Sequence, residues 1–189
     1  MGLTSKFFPE KNCMQIQKAC LEQIDGGSPE VSDAQVERLL VYMQTLAPPR
    51  QRKPEKKNVL QGQNIFKEIG CENCHTPTYT TGTHPEHAEL SNRIIKPYSD
   101  FLLHDMGKGL DDDVHEGKAN SYEWKTPPLW GIGLVKIVNK HTRFLHDGRA
   151  KSIEEAILWH EGEGLRAKNN YISLSLKNRK KLLAFLNSL

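Results

Sequence analysis

Residues 71–75 read Cys-Glu-Asn-Cys-His, two thiols separated by two residues with an imidazole directly after the second. Such groups serve haem attachment, half of a zinc site or a redox dithiol, or they arise by chance. Zinc needs four ligands, usually from two paired half-sites at regular spacing. The other two cysteines, Cys13 and Cys20, have six residues between them and lie a full linker upstream, a poor match. A thioredoxin-like dithiol belongs at a strand-to-helix turn of a βαβ unit, and nothing around Cys71 suggests one. Covalent haem fits for a geometric reason. Two thiols one helical turn apart can each bond a vinyl group of one porphyrin, which places the adjacent histidine under the iron. Cys71 and Cys74 are therefore the expected thioether attachments of one haem c, and His75 its proximal ligand.

The far side of the iron has several candidates. His84, His87 and His115 sit in polar sequence and read as solvated. His104 in LLHDMG and His146 in FLHDG adjoin apolar residues and glycines that would let backbone approach a ligand. Met106 offers a thioether, a common partner of histidine in cytochromes c. His160, on an expected helix over Ser152–Glu161, shares a face with Ile153, Ala156 and Ile157, so its ring should point inward. Histidines and methionines are more often packing or surface groups than ligands, and His160, Met106 and an open or water-bound iron all stand at this point.

The elements that must position these groups are mainly helical. A helix starting near Asn58 places Val59, Gly62, Phe66 and Ile69 on one face and ends at Gly70, directly before the motif. Glycine inside a helix costs stability, so Gly62 points to a close crossing by another helix. Residues 32–46, SDAQVERLLVYMQTL, and 175–189, SLKNRKKLLAFLNSL, align without a gap, each opening on a serine suited to cap the first turn. Two generic amphipathic helices can look alike by chance; the other reading is that each closes a copy of one domain, with Phe185 of the second placed to cross at Gly62. Ser152 with Glu155 forms a capping-box pattern. The long segment 76–125 reads as functional loop with short helical turns around Ser99–His104, and Gly133–Val138 is the only possible strand. The expected class is mainly α, a cytochrome c-like haem domain with long irregular loops. Residues 1–50 are expected to be the tail of a preceding domain with its closing helix about 31–46, 51–57 a linker, and 58–189 the haem domain.

With 189 residues, 37% hydrophobic and 26% charged, and net charge +3, the composition is that of a globular protein. Interleaved charges argue against nucleic acid as a partner, and no apolar run is long enough for a membrane span. The opening MGLTSKFFPEKNC has no signal-peptide pattern. On one straight helix the Cα atoms of Cys13 and Cys20 would lie roughly 10 Å apart, beyond the ~4.4–6.8 Å of a disulfide. They are therefore free thiols unless the chain breaks between them.

PYSDFLLHDMGKGL (97–110), EWKTPPLWGIG (123–133) and FLHDGRAKSIEEAILWHEGEG (144–164) resemble the C-terminal haem domain of the di-haem oxidoreductase family, related to bacterial di-haem cytochrome c peroxidases. The resemblance covers about residues 55–189, with residues 1–50 similar to the tail of that family's preceding domain. It implies a distal ligand at His160, haem propionates held by His146 and Arg149, and Trp124 and Trp130 near the haem edge. Related enzymes hold a calcium between their domains, but the residues aligned to its ligands differ here, so calcium is not firmly expected. The first haem motif is absent, so a mechanism needing two haems requires an upstream haem domain. The resemblance also implies an electron-transfer role, or a peroxidase reducing hydrogen peroxide through this haem, with a small electron-donor protein such as another cytochrome as partner. A ligand-sensing domain is the third reading. Lys177, Arg179, Lys180 and Lys181 could steer an acidic donor, although a solvated helix face is the default. Covalent haem of this kind implies a periplasmic protein whose leader has been removed, and an oxidising compartment favours a Cys13–Cys20 bridge.

Overall fold

The computed structural model describes residues 3–11 and 13–189. Met1 and Gly2, at the start of the stretch read for a leader, and Asn12 lie outside the described residues. The chain divides into two compact units, Met1–Ala47 and Pro48–Leu189. Its α-helices are α1 (Lys18–Leu21), α2 (Asp33–Thr45), α3 (Lys57–Glu68), α4 (Val135–Asn139), α5 (Ile153–Leu158), α6 (Leu165–Ile172) and α7 (Leu176–Leu186). Among the described residues, four short strands, β1 (Tyr79–Thr80), β2 (Ile94–Ile95), β3 (Leu103–Asp105) and β4 (Glu123–Lys125), pair antiparallel as β1–β2 and β3–β4.

In the first unit, Cys13 and Cys20 are disulfide-bonded with their Cα atoms 6.0 Å apart. The chain turns at Met14–Gln17 before α1 begins, which supplies the break that the bridge requires. Thr4 and Glu30 exchange hydrogen bonds: Thr4 N donates to Glu30 Oε2 and Glu30 N to Thr4 Oγ1, each at 2.9 Å. Among the described residues of this unit, Thr4 alone is buried. Helix α2 is capped by Ser32, whose N–H donates to Gln35 Oε1 at 2.9 Å, yet it buries none of its residues.

The second unit is built on the pair α3 and α7. Val59, Gly62, Ile65 and Phe66 of α3 face Leu182, Phe185 and Leu186 of α7. Gly62 makes the crossing possible, because a Cβ there would lie 2.1 Å from the Lys181 carbonyl oxygen and 2.7 Å from Phe185 Cβ. Phe66, Tyr98 and Phe185 meet edge to face, with ring centres 5.4–6.0 Å apart, at the centre of the core. Ser175 and Ser152 cap α7 and α5, accepting from the N–H groups of Asn178 and Glu155. The Glu155 carboxylate reaches back to the N–H of Lys151 rather than Ser152.

Two local expectations are corrected. The stretch Ser99–His104 is not helical, since its end enters β3 and pairs Leu103 with Lys125 and His104 with Trp124. The possible strand Gly133–Val138 is instead a 3-10 turn, Ile132–Leu134, running into α4. Its backbone is held against the C-terminus, where a Cβ on Gly133 would strike the Asn187 carbonyl oxygen.

Candidate functional site

Helix α3 delivers the Cys-Glu-Asn-Cys-His motif. Gly70 takes the left-handed conformation (φ 92°) that ends the helix, Cys71–Asn73 form a 3-10 turn, and the His75 N–H donates to the Cys71 carbonyl at 2.9 Å. The His75 ring lies beside Phe66, with its Nδ1 2.9 Å from the Tyr98 carbonyl oxygen. A carbonyl only accepts, so Nδ1 carries the proton and Nε2 keeps its lone pair. Burial pushes the His75 pKa down to about 4, with the Tyr98 bond opposing only in part. The ring is thus neutral near pH 7, the form that binds metal.

His160 repeats this arrangement. Helix α5 ends at Leu158, two residues short of it, so His160 is not helical as expected. Its Nδ1 still donates to the Ala156 carbonyl at 2.8 Å, four residues back, and Nε2 again is left free. Burial lowers its pKa as well. Gly164 packs on it, since a Cβ there would lie 3.2 Å from His160 Cδ2. The His75 and His160 ring centres are 6.5 Å apart with their planes at 49°. Two imidazoles on opposite sides of one metal, each bonded at about 2.0–2.1 Å, have ring centres roughly 6 Å apart.

Cys71 and Cys74 are free and half-buried. Burial pushes the Cys71 thiol up to about 12; the Cys74 thiol is also raised, by burial first and then by the charges of Asp100 and Glu163. A redox dithiol depends on an accessible thiolate, so that chemistry does not suit this pair. Cys74 does lie with Asp100 and His104 in a group whose ligand atoms fall within 4.8 Å of one another. Both His104 nitrogens are engaged, however: Nε2 with Asp100 Oδ2 at 2.7 Å and Nδ1 with Glu163 Oε2 at 2.8 Å. That ring has no lone pair left for a metal. Together the two thiols, the two neighbouring imidazoles with their Nδ1 atoms tied to carbonyls, and the aromatic rings of Phe66 and Tyr98 form a donor set that fits a haem.

The remaining candidates are dispersed. Met106 follows β3 and is half-buried, and its N–H donates to the Tyr122 carbonyl. His146 is exposed and stacks on Trp124 at 3.4 Å between ring centres; the Trp124 indole donates to the Leu110 carbonyl. The Arg149 guanidinium lies 4.9 Å over the Trp159 ring and bonds the Gly109 carbonyl and Asp147. Trp130 is half-buried. His84 accepts from the N–H groups of Glu86 and His87, and His115 is exposed. Of the basic group on α7, Lys177 and Lys180 face solvent, but Arg179 turns inward over Tyr171.

The family model described as "Di-haem oxidoreductase, putative peroxidase" matches residues 15–189. The chain belongs to that family. The chain matches no curated protein and no solved structure. The family's description implies haem as the cofactor class and oxidation–reduction as the reaction class. No helix among the described residues is long and apolar enough to cross a membrane.

Sequence reasoning did not find the carbonyls of Tyr98 and Ala156 that orient the two imidazoles, because backbone acceptors have no sequence signature. It also passed over Glu163 and Gly164. The spacing was visible, since Gly164 stands four residues after His160.

Proposed function

We propose that residues 58–189 form a cytochrome c-like haem domain in which Cys71 and Cys74 hold one haem c as thioethers, with His75 and His160 on opposite faces of the iron. The two imidazoles, with ring centres 6.5 Å apart and both Nδ1 atoms tied to carbonyls, carry this reading. Carbonyl bonds of this kind fix the tautomer, orient the ring and raise the basicity of the ligating nitrogen. The haem, when bound, supplies a one-electron couple. The protein's part is to hold two neutral imidazoles in place, to keep water out with Phe66 and Tyr98, and to leave no open position for a substrate. The function is then electron transfer, as one module of a di-haem oxidoreductase whose other haem comes from a preceding domain. Residues 1–50 are the tail of that domain in this reading, His146 and Arg149 lie toward the propionates, and the compartment is the periplasm with a small protein as electron donor. The family description favours a second reading, a peroxidase that reduces hydrogen peroxide with electrons relayed through this haem.

Low-temperature EPR with near-infrared absorption on wild type and His160→Ala tests the ligation. The wild type should be low-spin with two imidazole ligands and unresponsive to cyanide or peroxide, and the variant should lose that signature. Unchanged ligation in His160→Ala refutes the assignment.

A further inference from the structure

One chain of polar contacts joins the attachment side of this site to the turn that follows His160. Asp100 N–H donates to the Cys74 carbonyl at 2.7 Å, and Ser99 N–H to the Thr76 carbonyl at 3.0 Å, so this segment rests on the motif itself. The Asp100 carboxylate takes His104 Nε2, and His104 Nδ1 meets Glu163 Oε2 while lying 3.7 Å from Cys74 Sγ. The other oxygen of Glu163 accepts from the Asp105 N–H at 3.0 Å. Glu163 therefore grips β3 at two adjacent points, which fixes direction as well as distance.

The turn carrying Glu163 has little freedom. Gly162 sits at φ 50° with its Cα against Asp105, where a Cβ would lie 2.3 Å from the carbonyl oxygen. Gly164 N–H donates to the Glu161 carbonyl at 2.8 Å and its Cα backs onto the His160 ring. A displacement of Glu163 is thus passed directly to His160. The side chains of Asp100 and His104 are 10% and 14% exposed, whereas that of Glu163 is 56% exposed. An ion pair so open at one end adds little stability, so its consequence lies in geometry.

We propose that Asp100, His104 and Glu163 form a positioning clasp that holds the His160 side of the haem shut, and that releasing Glu163 opens the iron to small exogenous ligands. The clasp rests on the reading of His75 and His160 as opposed ligands. It makes the difference between a closed electron-transfer site and a ligand-binding one depend on a single solvent-accessible carboxylate.

The test uses the haem-loaded protein as wild type, Glu163→Gln and Glu163→Ala. Cyanide association with the ferric form is followed by stopped flow, and amide hydrogen exchange is measured at residues 103–105 and 160–164. Glu163→Ala should bind cyanide at least tenfold faster than wild type while its resting spectrum stays low-spin. Glu163→Gln, which keeps an acceptor for the Asp105 N–H, should fall between the two. Exchange protection should drop in both segments. A Glu163→Ala rate within twofold of wild type overturns the clasp. A wild type that itself binds cyanide promptly sinks the ligand assignment instead; the clasp then stands or falls on exchange, and unchanged protection overturns it.

Discussion

Substituting Gly62 by alanine tests the helix crossing on which the site is built. A Cβ at this position would lie 2.1 Å from the Lys181 carbonyl oxygen, 2.7 Å from the Lys181 carbonyl carbon and 2.7 Å from Phe185 Cβ. Ordinary contact needs about 3.5 Å, so α7 would have to retreat by roughly 1.4 Å. The obstacle is backbone, which cannot rotate aside. Overpacking of this kind costs about 1–3 kcal/mol and occasionally more, against a gain of about 1 kcal/mol from replacing glycine in a helix. With the clash at the severe end, the net loss should be about 2 kcal/mol or more. At about 3–5 °C per kcal/mol for a unit of this size, the melting temperature should fall by at least ~6 °C. Circular dichroism at 222 nm, with the Soret band of the haem-loaded protein as a second probe, measures this. Gly82→Ala is the control, since nothing lies within 4 Å of its Cβ position, and it should stay within about 0.5 kcal/mol of wild type. A Gly62→Ala protein as stable as wild type, or more so, would refute the close crossing.

Two further outcomes follow from burial and charge. Phe185→Ala, at a fully buried position, should cost about 3–5 kcal/mol, whereas Tyr42→Ala, at the aligned position of α2 and 59% exposed, should cost under about 0.5 kcal/mol by chemical denaturation; equal losses would contradict the described burial. The clasp should also show a pH optimum. Burial opposes the His104 charge, but the bonds to Glu163 and Asp100 prevail and raise its pKa above the ordinary 6.5. Its contribution is complete below 6.5 and lost as pH rises through the raised value. The carboxylates lie below their ordinary 3.8 and 4.5: Asp100 because its bonds, first from the Leu102 N–H and then from His104, outweigh burial, and Glu163 chiefly through His104. Their contributions are complete above those values and lost as pH falls through the lowered ones. The stability difference between wild type and Glu163→Gln should therefore peak between about pH 4.5 and 6.5. A difference that grows steadily toward pH 9 would contradict this sign.

What was legible in the sequence was local and periodic. The α3 face, the glycine that ends it and the glycine at the crossing are i, i+3, i+4 features that one helix writes into its own residues. His160 was placed on a helix that stops two residues earlier, and its ring is held instead by the Ala156 carbonyl, which keeps the i−4 relation. The strand β3 was not legible. A three-residue strand has no period of its own, and β3 exists because Leu103–Asp105 finds Glu123–Lys125 eighteen or more residues on. Gly133–Val138 failed for the converse reason. Its β-branched residues suit a strand, but contact with the C-terminal residues decided the matter. Asp100, His104 and Glu163 could not have been grouped, being separated by up to 63 residues and joined only through tertiary contacts.

The two aligned helices show how far a pattern alone can carry. In α7, Leu182, Phe185 and Leu186 are 0%, 0% and 4% exposed, whereas their counterparts in α2, Leu39, Tyr42 and Met43, are 53%, 59% and 65% exposed. Capping and periodicity do not separate the two helices, since both start on a serine and both have the same apolar spacing. The difference lies in the partner. α7 meets a helix whose Gly62 admits its backbone and whose Phe66 receives its Phe185, so burial belongs to the pair rather than to either helix. An amphipathic stripe is therefore a statement about a missing neighbour until that neighbour is found. In α3, Gly62 and Phe66 lead directly into the Cys-Glu-Asn-Cys-His motif, so the residues that bury α7 also place that motif.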